Sequence, residues 1–151
     1  MAIAKYAYTA LDCENPIALA EFYSKITGWA VEPLGDFSPE DVTWLELLDE
    51  EGKTKMGFQK IDNYRRPTWP EGDVAQQLHL DFHVLDMEKA RAEIIAIGAV
   101  QAEFQSAEHY QVFFDPEGHP FCLIVKRRLQ RWALRWRHRQ GLRRQELLHS
   151  R

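Results

Sequence analysis

The stretch Leu78-His79-Leu80-Asp81-Phe82-His83-Val84 alternates strictly between apolar and polar residues, so as a strand it sets His79, Asp81 and His83 on one face. An imidazole, with an ordinary pKa of about 6.5, beside a carboxylate is material for acid–base chemistry. The same pair begins a metal site, because two residues on one strand face lie roughly 6 to 7 Å apart at Cα, within reach of one ion. His79 and His83, about 13 Å apart along a strand, cannot share one. The third ligand of such a set would have to be His119 or His109; His119 stands in a turn and also reads as a solvated or capping side chain. Gly-rich phosphate loop, nucleophile elbow and Cys-x-x-Cys are all absent. Cys122 has no assignable base and is expected to be an inert buried thiol.

These residues sit in a sequence that repeats itself. Asn15 and Pro16 start a helical pattern, with Leu19, Phe22, Tyr23 and Ile26 on one face and Gly28 closing it. Asp86 starts a second, with Met87, Ala90, Ile94 and Ile97 on one face and Gly98 closing it. A strand precedes each, over 5–11 and 78–84. A strand-turn-strand follows each: 44–48 and 55–60 around Asp49-Glu50-Glu51-Gly52, then 110–114 and 120–126 around Asp115-Pro116-Glu117-Gly118. Asp86 lies 71 residues after Asn15, Gly98 70 after Gly28 and Asp115 66 after Asp49. Offsets this constant predict an α+β fold from a duplicated β-α-β-β-β unit. The connecting loop, 62–76, holds Tyr64, Arg65, Arg66 and Trp69, unlike a flexible linker, and is expected to pack.

The 151 residues are 45% hydrophobic and 28% charged, the composition of one soluble globular domain. No apolar run approaches the roughly 20 residues of a bilayer span, the N-terminus lacks a signal peptide's features, and two thiols suit a reducing compartment. The expected location is cytoplasmic. The net charge of −4 hides a split: residues 1–125 carry 9 Lys+Arg against 22 Asp+Glu, net −13, and residues 126–151 carry 10 against 1, net +9. That basic extension places Leu129, Trp132, Ala133 and Trp136 on one face of a predicted helix. Three readings stand for it: docking on the acidic body or a dimer partner, binding nucleic acid or acidic membrane, or no role.

The string Leu11-Asp12-Cys13-Glu14-Asn15-Pro16 with Phe22-Tyr23 and Gly28-Trp29, the Arg-Arg-Pro-Thr-Trp-Pro loop, His79 to Val84, and Asp115-Pro116-Glu117-Gly118-His119-Pro120-Phe121-Cys122 together resemble the glyoxalase-like branch of the vicinal oxygen chelate superfamily. The resemblance covers residues 5–125. It implies two β-α-β-β-β modules, about 1–61 and 77–125, forming a cup-shaped, incompletely closed eight-stranded barrel, commonly in a homodimer. Members include glyoxalases, ring-cleaving dioxygenases, fosfomycin-modifying transferases and non-catalytic antibiotic-binding proteins, so fold does not settle function.

The superfamily's metal enzymes carry ligands, usually His and Glu, on the first and last strands of each module. The matching positions here are His79 and Cys122 in the second module, and Tyr8 with Met56, Gly57 or Phe58 in the first. The standard site is therefore expected to be lost and no cofactor is expected; a divalent metal would need the unusual set built on His79 and Asp81. In the implied cup Tyr8 faces His79, and strand alternation turns Tyr6, Asp12, Gln77, Asp81 and His83 inward. Trp44 and Glu46 line a wall or belong to the core. Arg65 and Arg66 reach over the mouth or bridge to the acidic surface, and Trp69 and Cys122 complete the candidate ligand-binding set. Three functions follow: a metal-independent lyase or isomerase moving a proton with His79 and Tyr8 or Asp81, a non-catalytic small-molecule binder, or a metal enzyme with a non-standard ligand set.

Overall fold

Both helices start and stop on local chemistry. In the computed structural model, which describes residues 2–107 and 109–125, α1 spans Pro16–Thr27 and the Asn15 carboxamide accepts the Ala18 N–H at 3.1 Å. Gly28, at φ +75°, ends it by donating its N–H to the Ser24 carbonyl. Helix α2 spans Met87–Ala96, with the Asp86 carboxylate accepting the Lys89 N–H at 3.1 Å.

Around them lie two four-stranded sheets of one plan. The first orders β1 (Thr9–Cys13), β4 (Thr54–Lys60), β3 (Trp44–Leu48) and β2 (Ala30–Val31); the second orders β5 (Leu80–Val84), β8 (Pro120–Val125), β7 (Tyr110–Phe114) and β6 (Val100–Gln101). In each sheet the first pair is parallel and the others antiparallel. The fold is thus α+β with a repeated β-α-β-β-β unit, and among the described residues no strand pair joins the sheets. Two boundaries differ from the sequence reading. Strand β1 begins at Thr9 rather than residue 5, and β5 at Leu80 rather than residue 78. The two-residue strands β2 and β6 are too short to show a period. The predicted basic helix falls in 126–151, outside the described residues.

One core serves both modules. Leu11, Leu45, Leu47 and Phe58 from the first sheet and Phe113, Phe121 and Leu123 from the second meet Leu19, Phe22 and Tyr23 of α1 in one buried cluster. The Tyr23 ring stacks on Phe58 at 5.9 Å between centroids and lies 6.0 Å from Phe82 and 6.4 Å from Phe121. Each such ring, fully buried, contributes about 1.5 to 3 kcal/mol.

A polar lock crosses this core. Asp115 is 2% exposed; its Oδ2 accepts from the Tyr23 hydroxyl at 2.9 Å and lies 2.8 Å from His119 Nδ1, and its Oδ1 accepts the N–H groups of Glu117 and His119, both at 2.9 Å. The buried Glu117 carboxylate accepts the N–H groups of Glu14 and Asn15, each at 3.2 Å. The 62–76 loop packs as expected: Tyr64 Oη donates to the Glu117 carbonyl at 3.0 Å, and Arg66 Nη2 donates to the Pro116 carbonyl at 2.6 Å. Burial and the Asp115 charge push the Tyr23 phenol well above its ordinary value.

Tyr23→Phe keeps the ring and removes one donor from a buried carboxylate, so it is expected to cost about 1 to 3 kcal/mol in urea denaturation. Because the folded state holds the Tyr23 proton more tightly than the unfolded chain, this contribution is full below pH of about 10 and is lost as pH rises through the folded value. The variant is expected to show a shallower alkaline loss of stability than the wild type.

Candidate functional site

On β8, Phe121 and Leu123 point into the core and Cys122 and Ile124 to the opposite face; on β5, Leu80, Phe82 and Val84 pack against the core and Asp81 takes the other side. Asp81 and Cys122 are Cα partners in the parallel β5–β8 pair, which sets carboxylate beside thiol. His79, one residue before the strand, brings Nε2 to 3.7 Å from Asp81 Oδ1, with both side chains 48% exposed. A ring nitrogen of His79, a carboxylate oxygen of Asp81 and Cys122 Sγ all lie within 4.8 Å of one another. Burial pushes the Cys122 thiol up to about 11, helped by the hydrogen bond and charge of Asp81.

This cluster borders a cavity of about 400 Å³. Tyr110 and Val112 of β7 form a wall, and Trp69 and Gln76 of the connecting loop close a side. Trp69 is held by Phe104 at 5.7 Å and Phe114 at 6.4 Å between ring centroids. Gln76 Oε1 is buried with no hydrogen-bond partner.

The first module's corresponding face is filled by its own side chains. Trp44 Nε1 donates to Glu46 Oε1 at 3.0 Å, the Thr54 hydroxyl donates to Glu46 Oε2 at 2.6 Å, and the Tyr8 ring lies 6.3 Å from the indole. The indole rests on Gly57: a Cβ there would lie 2.5 and 2.8 Å from its Cζ2 and Cη2. Met56 and Phe58, on either side, face the core. A metal held by donors from both modules, as the resemblance implies, does not fit. The first module offers at those positions a phenol packed on Trp44 and a glycine under an indole.

The structure thus joins His79, Asp81, Cys122 and Trp69 and leaves other expected site residues elsewhere. Tyr8 packs on Trp44 and is not among the residues that line the cavity, which come from the second module and the 62–76 loop. Trp44 and Glu46 belong to the first module's face. Tyr6 is 79% exposed and bonded to the Thr9 hydroxyl, and Asp12 is exposed on β1. Gln77 is exposed and donates to the Ala75 carbonyl; its neighbour Gln76 enters the cavity instead, because residues 77–79 precede β5 and strand alternation does not extend back through them. His83, two residues beyond Asp81 on β5, borders a separate cavity of about 340 Å³ with Lys25, Ile26 and Ile94. Arg65 is exposed on the loop. Neither candidate for the third donor joins the cluster: His119 is bound to Asp115, and His109 packs on Tyr110 at 5.0 Å between rings. Cys122 takes that place. The alternation of Tyr110 and Val112 was a signal for the cavity wall; nothing in the sequence pointed to Gln76.

Two β-α-β-β-β modules sharing one core, with an aromatic-walled cavity ending on titratable groups, define a paired-module α+β protein. The chain belongs to the glyoxalase-like domain family, whose profile, described as "Glyoxalase-like domain", matches residues 8–124. Among solved structures, the fosfomycin resistance protein FosX of Listeria monocytogenes (hexagonal form) is similar at 15% identity and a TM-score of 0.57, over 86% of this chain and 99% of that one. A glyoxalase/bleomycin resistance protein/dioxygenase family enzyme from Burkholderia phytofirmans PsJN is 19% identical with a TM-score of 0.54, over 79% of this chain and 96% of that one. A structure named as a possible glyoxalase from Bacillus cereus is 16% identical with a TM-score of 0.55, over 82% and 99%. At these identities the likeness is one of fold. No curated protein matches the chain, and no helix among the described residues is long and apolar enough to cross a membrane.

Gly57→Ala forces a methyl into the Trp44 indole and is expected to cost about 1 to 3 kcal/mol in chemical denaturation. In a Trp44→Leu background the same change is expected to cost well under half of that, since the clashing ring atoms are gone.

Proposed function

We propose that the chain binds a small organic molecule with a planar apolar part and a polar head in the cavity of the second module. The planar part lies along Trp69 and Tyr110, and the polar head meets His79 and Asp81. The observation that carries this reading is the cavity's own lining, which sets the apolar wall of Trp69, Tyr110 and Val112 beside the polar pair His79 and Asp81. Any chemistry is proton transfer at the head by the His79–Asp81 pair, of isomerase or lyase type and without Tyr8. The fosfomycin resistance proteins among the structural neighbours support small-molecule binding or modification as the use of such a fold.

In this reading the protein is a cytoplasmic homodimer, supported by the exposed aromatic side chains of Tyr6, Phe37 and Trp44 on the first module. Its glyoxalase-like domain is 1–125. Nucleic acid or acidic membrane enters only through 126–151.

Native mass spectrometry of the full chain, incubated with a metabolite extract and desalted, reads both points. The expected result is a dimer mass carrying a small-molecule adduct that Trp69→Ala and His79→Gln each weaken at least tenfold, about 1.4 kcal/mol. A bare monomer, or an adduct retained by both variants, contradicts the reading.

A further inference from the structure

The extension 126–151 leaves the second module beside an apolar groove that the described residues leave open. We propose that its basic segment docks there, on its own chain, with Leu129, Trp132 and Trp136 inserted between α1 and α2.

The groove measures about 340 Å³. Phe82 and Val84 of β5 and Leu123 of β8 form its floor, Ile26 of α1 one wall, and Ala90 and Ile94 of α2 the other. It stays open because little covers α2: Ile94 alone of its ten residues is buried, against five of the twelve in α1. On the same part of the surface Leu85 is 89% exposed and Ile95 46%. Apolar side chains held this way gain from any cover that excludes water.

Position selects the occupant. Val84 is the Cα partner of Val125, the last described residue, so the chain passes into the extension at the groove's own edge. Lys126, Arg127 and Arg128 are all that separates Val125 from Leu129, a stretch that extends no more than about 14 Å. A tether this short presents the segment at an effective concentration in the millimolar range, far above that of a second copy in solution. The pattern fits too, since Leu129, Trp132, Ala133 and Trp136 share one face of the predicted helix. A helix this short is marginal in water until that face is buried.

Charge favours the same partner. The extension's +9 is drawn to the −13 of residues 1–125, and that acidic body repels the phosphates of nucleic acid or an anionic membrane. At the groove itself the charges are mixed, with Glu93 against Lys25 and His83, and Glu93 already lies 3.8 Å from Lys89. The apolar floor therefore sets the place, and net charge brings the segment to it.

The test puts a nitroxide on His138→Cys in the full chain, where Cys13 and Cys122 are buried and slow to react, and reads line-broadening of the amides. Ile26, His83, Val84 and residues 90–97 are expected to broaden when the label and the isotope-labelled amides share a chain, and to stay sharp when they are on different chains in a mixture. Trp132→Ser with Trp136→Ser, which leaves the described fold untouched, is expected to abolish the broadening. Ala90→Arg in the groove wall is expected to do the same while the rest of the amide spectrum is retained. Vesicles of phosphatidylserine, or a DNA duplex, are expected to leave the broadening in place. Sharp groove amides in the singly labelled chain, broadening that survives the paired serine change, or broadening between chains overturns the proposal, as does its loss to vesicles or DNA.

Discussion

Asp115 is a carboxylate taken almost wholly out of water, and the arrangement of both modules follows from how its charge is satisfied. Four donors surround it: the Tyr23 hydroxyl from α1, His119 Nδ1, and the backbone N–H groups of Glu117 and His119. A buried charge this well hydrogen-bonded is tolerated, whereas losing a partner leaves desolvation uncompensated. The same turn presents Glu117 to the backbone where α1 begins, a place where the helix dipole favours negative charge. The turn between β7 and β8 is thereby tied to the first module's helix. Those strands carry Tyr110, Val112 and Cys122, so the cavity inherits its rigidity from a lock on the other side of the sheet.

Duplication supplies two equivalent faces, and the side chains make them unequal. In the first module, glycine at position 57 lets an indole lie flat on β4, and Glu46 is engaged by Trp44 and Thr54. In the second, the strand pairing sets Asp81 beside Cys122 at the edge of a cavity that Trp69 and Tyr110 also line. The acidic character of residues 1–125 adds nothing specific to this. What distinguishes the second face is three donors of different chemistry beside an aromatic wall.

The parts of this account legible in the sequence are the ones set by local rules. Asn15-Pro16 and Asp86 announce helix starts through their own side chains, and Gly28 announces a stop; the hairpin turns and the repeat offsets then fix the fold class. The site was harder to read because alternation tells which residues share a face but not where a strand begins. Extending β5 back to residue 78 turns Gln77 inward, whereas the strand starts at Leu80 and Gln76 is the residue in the cavity. Tyr8 packs against Trp44 of β3, two strands across the sheet, a contact that alternation along β1 does not show. Cys122 is buried with its thiol pushed up, in keeping with the inert thiol read from the sequence; what nothing local shows is that β5 and β8 are neighbours and that Asp81 stands opposite it.

The central claim is that ligand chemistry resides on the second module's open face. Amide chemical-shift mapping of the full chain against a panel of small aromatic alcohols and amides tests it most directly. The account predicts shifts clustered at Trp69, Gln76, His79 to Asp81, Tyr110 to Val112 and Cys122. Shifts centred on Trp44, Glu46 and Gly57, or on His83 and Ile94, would contradict it.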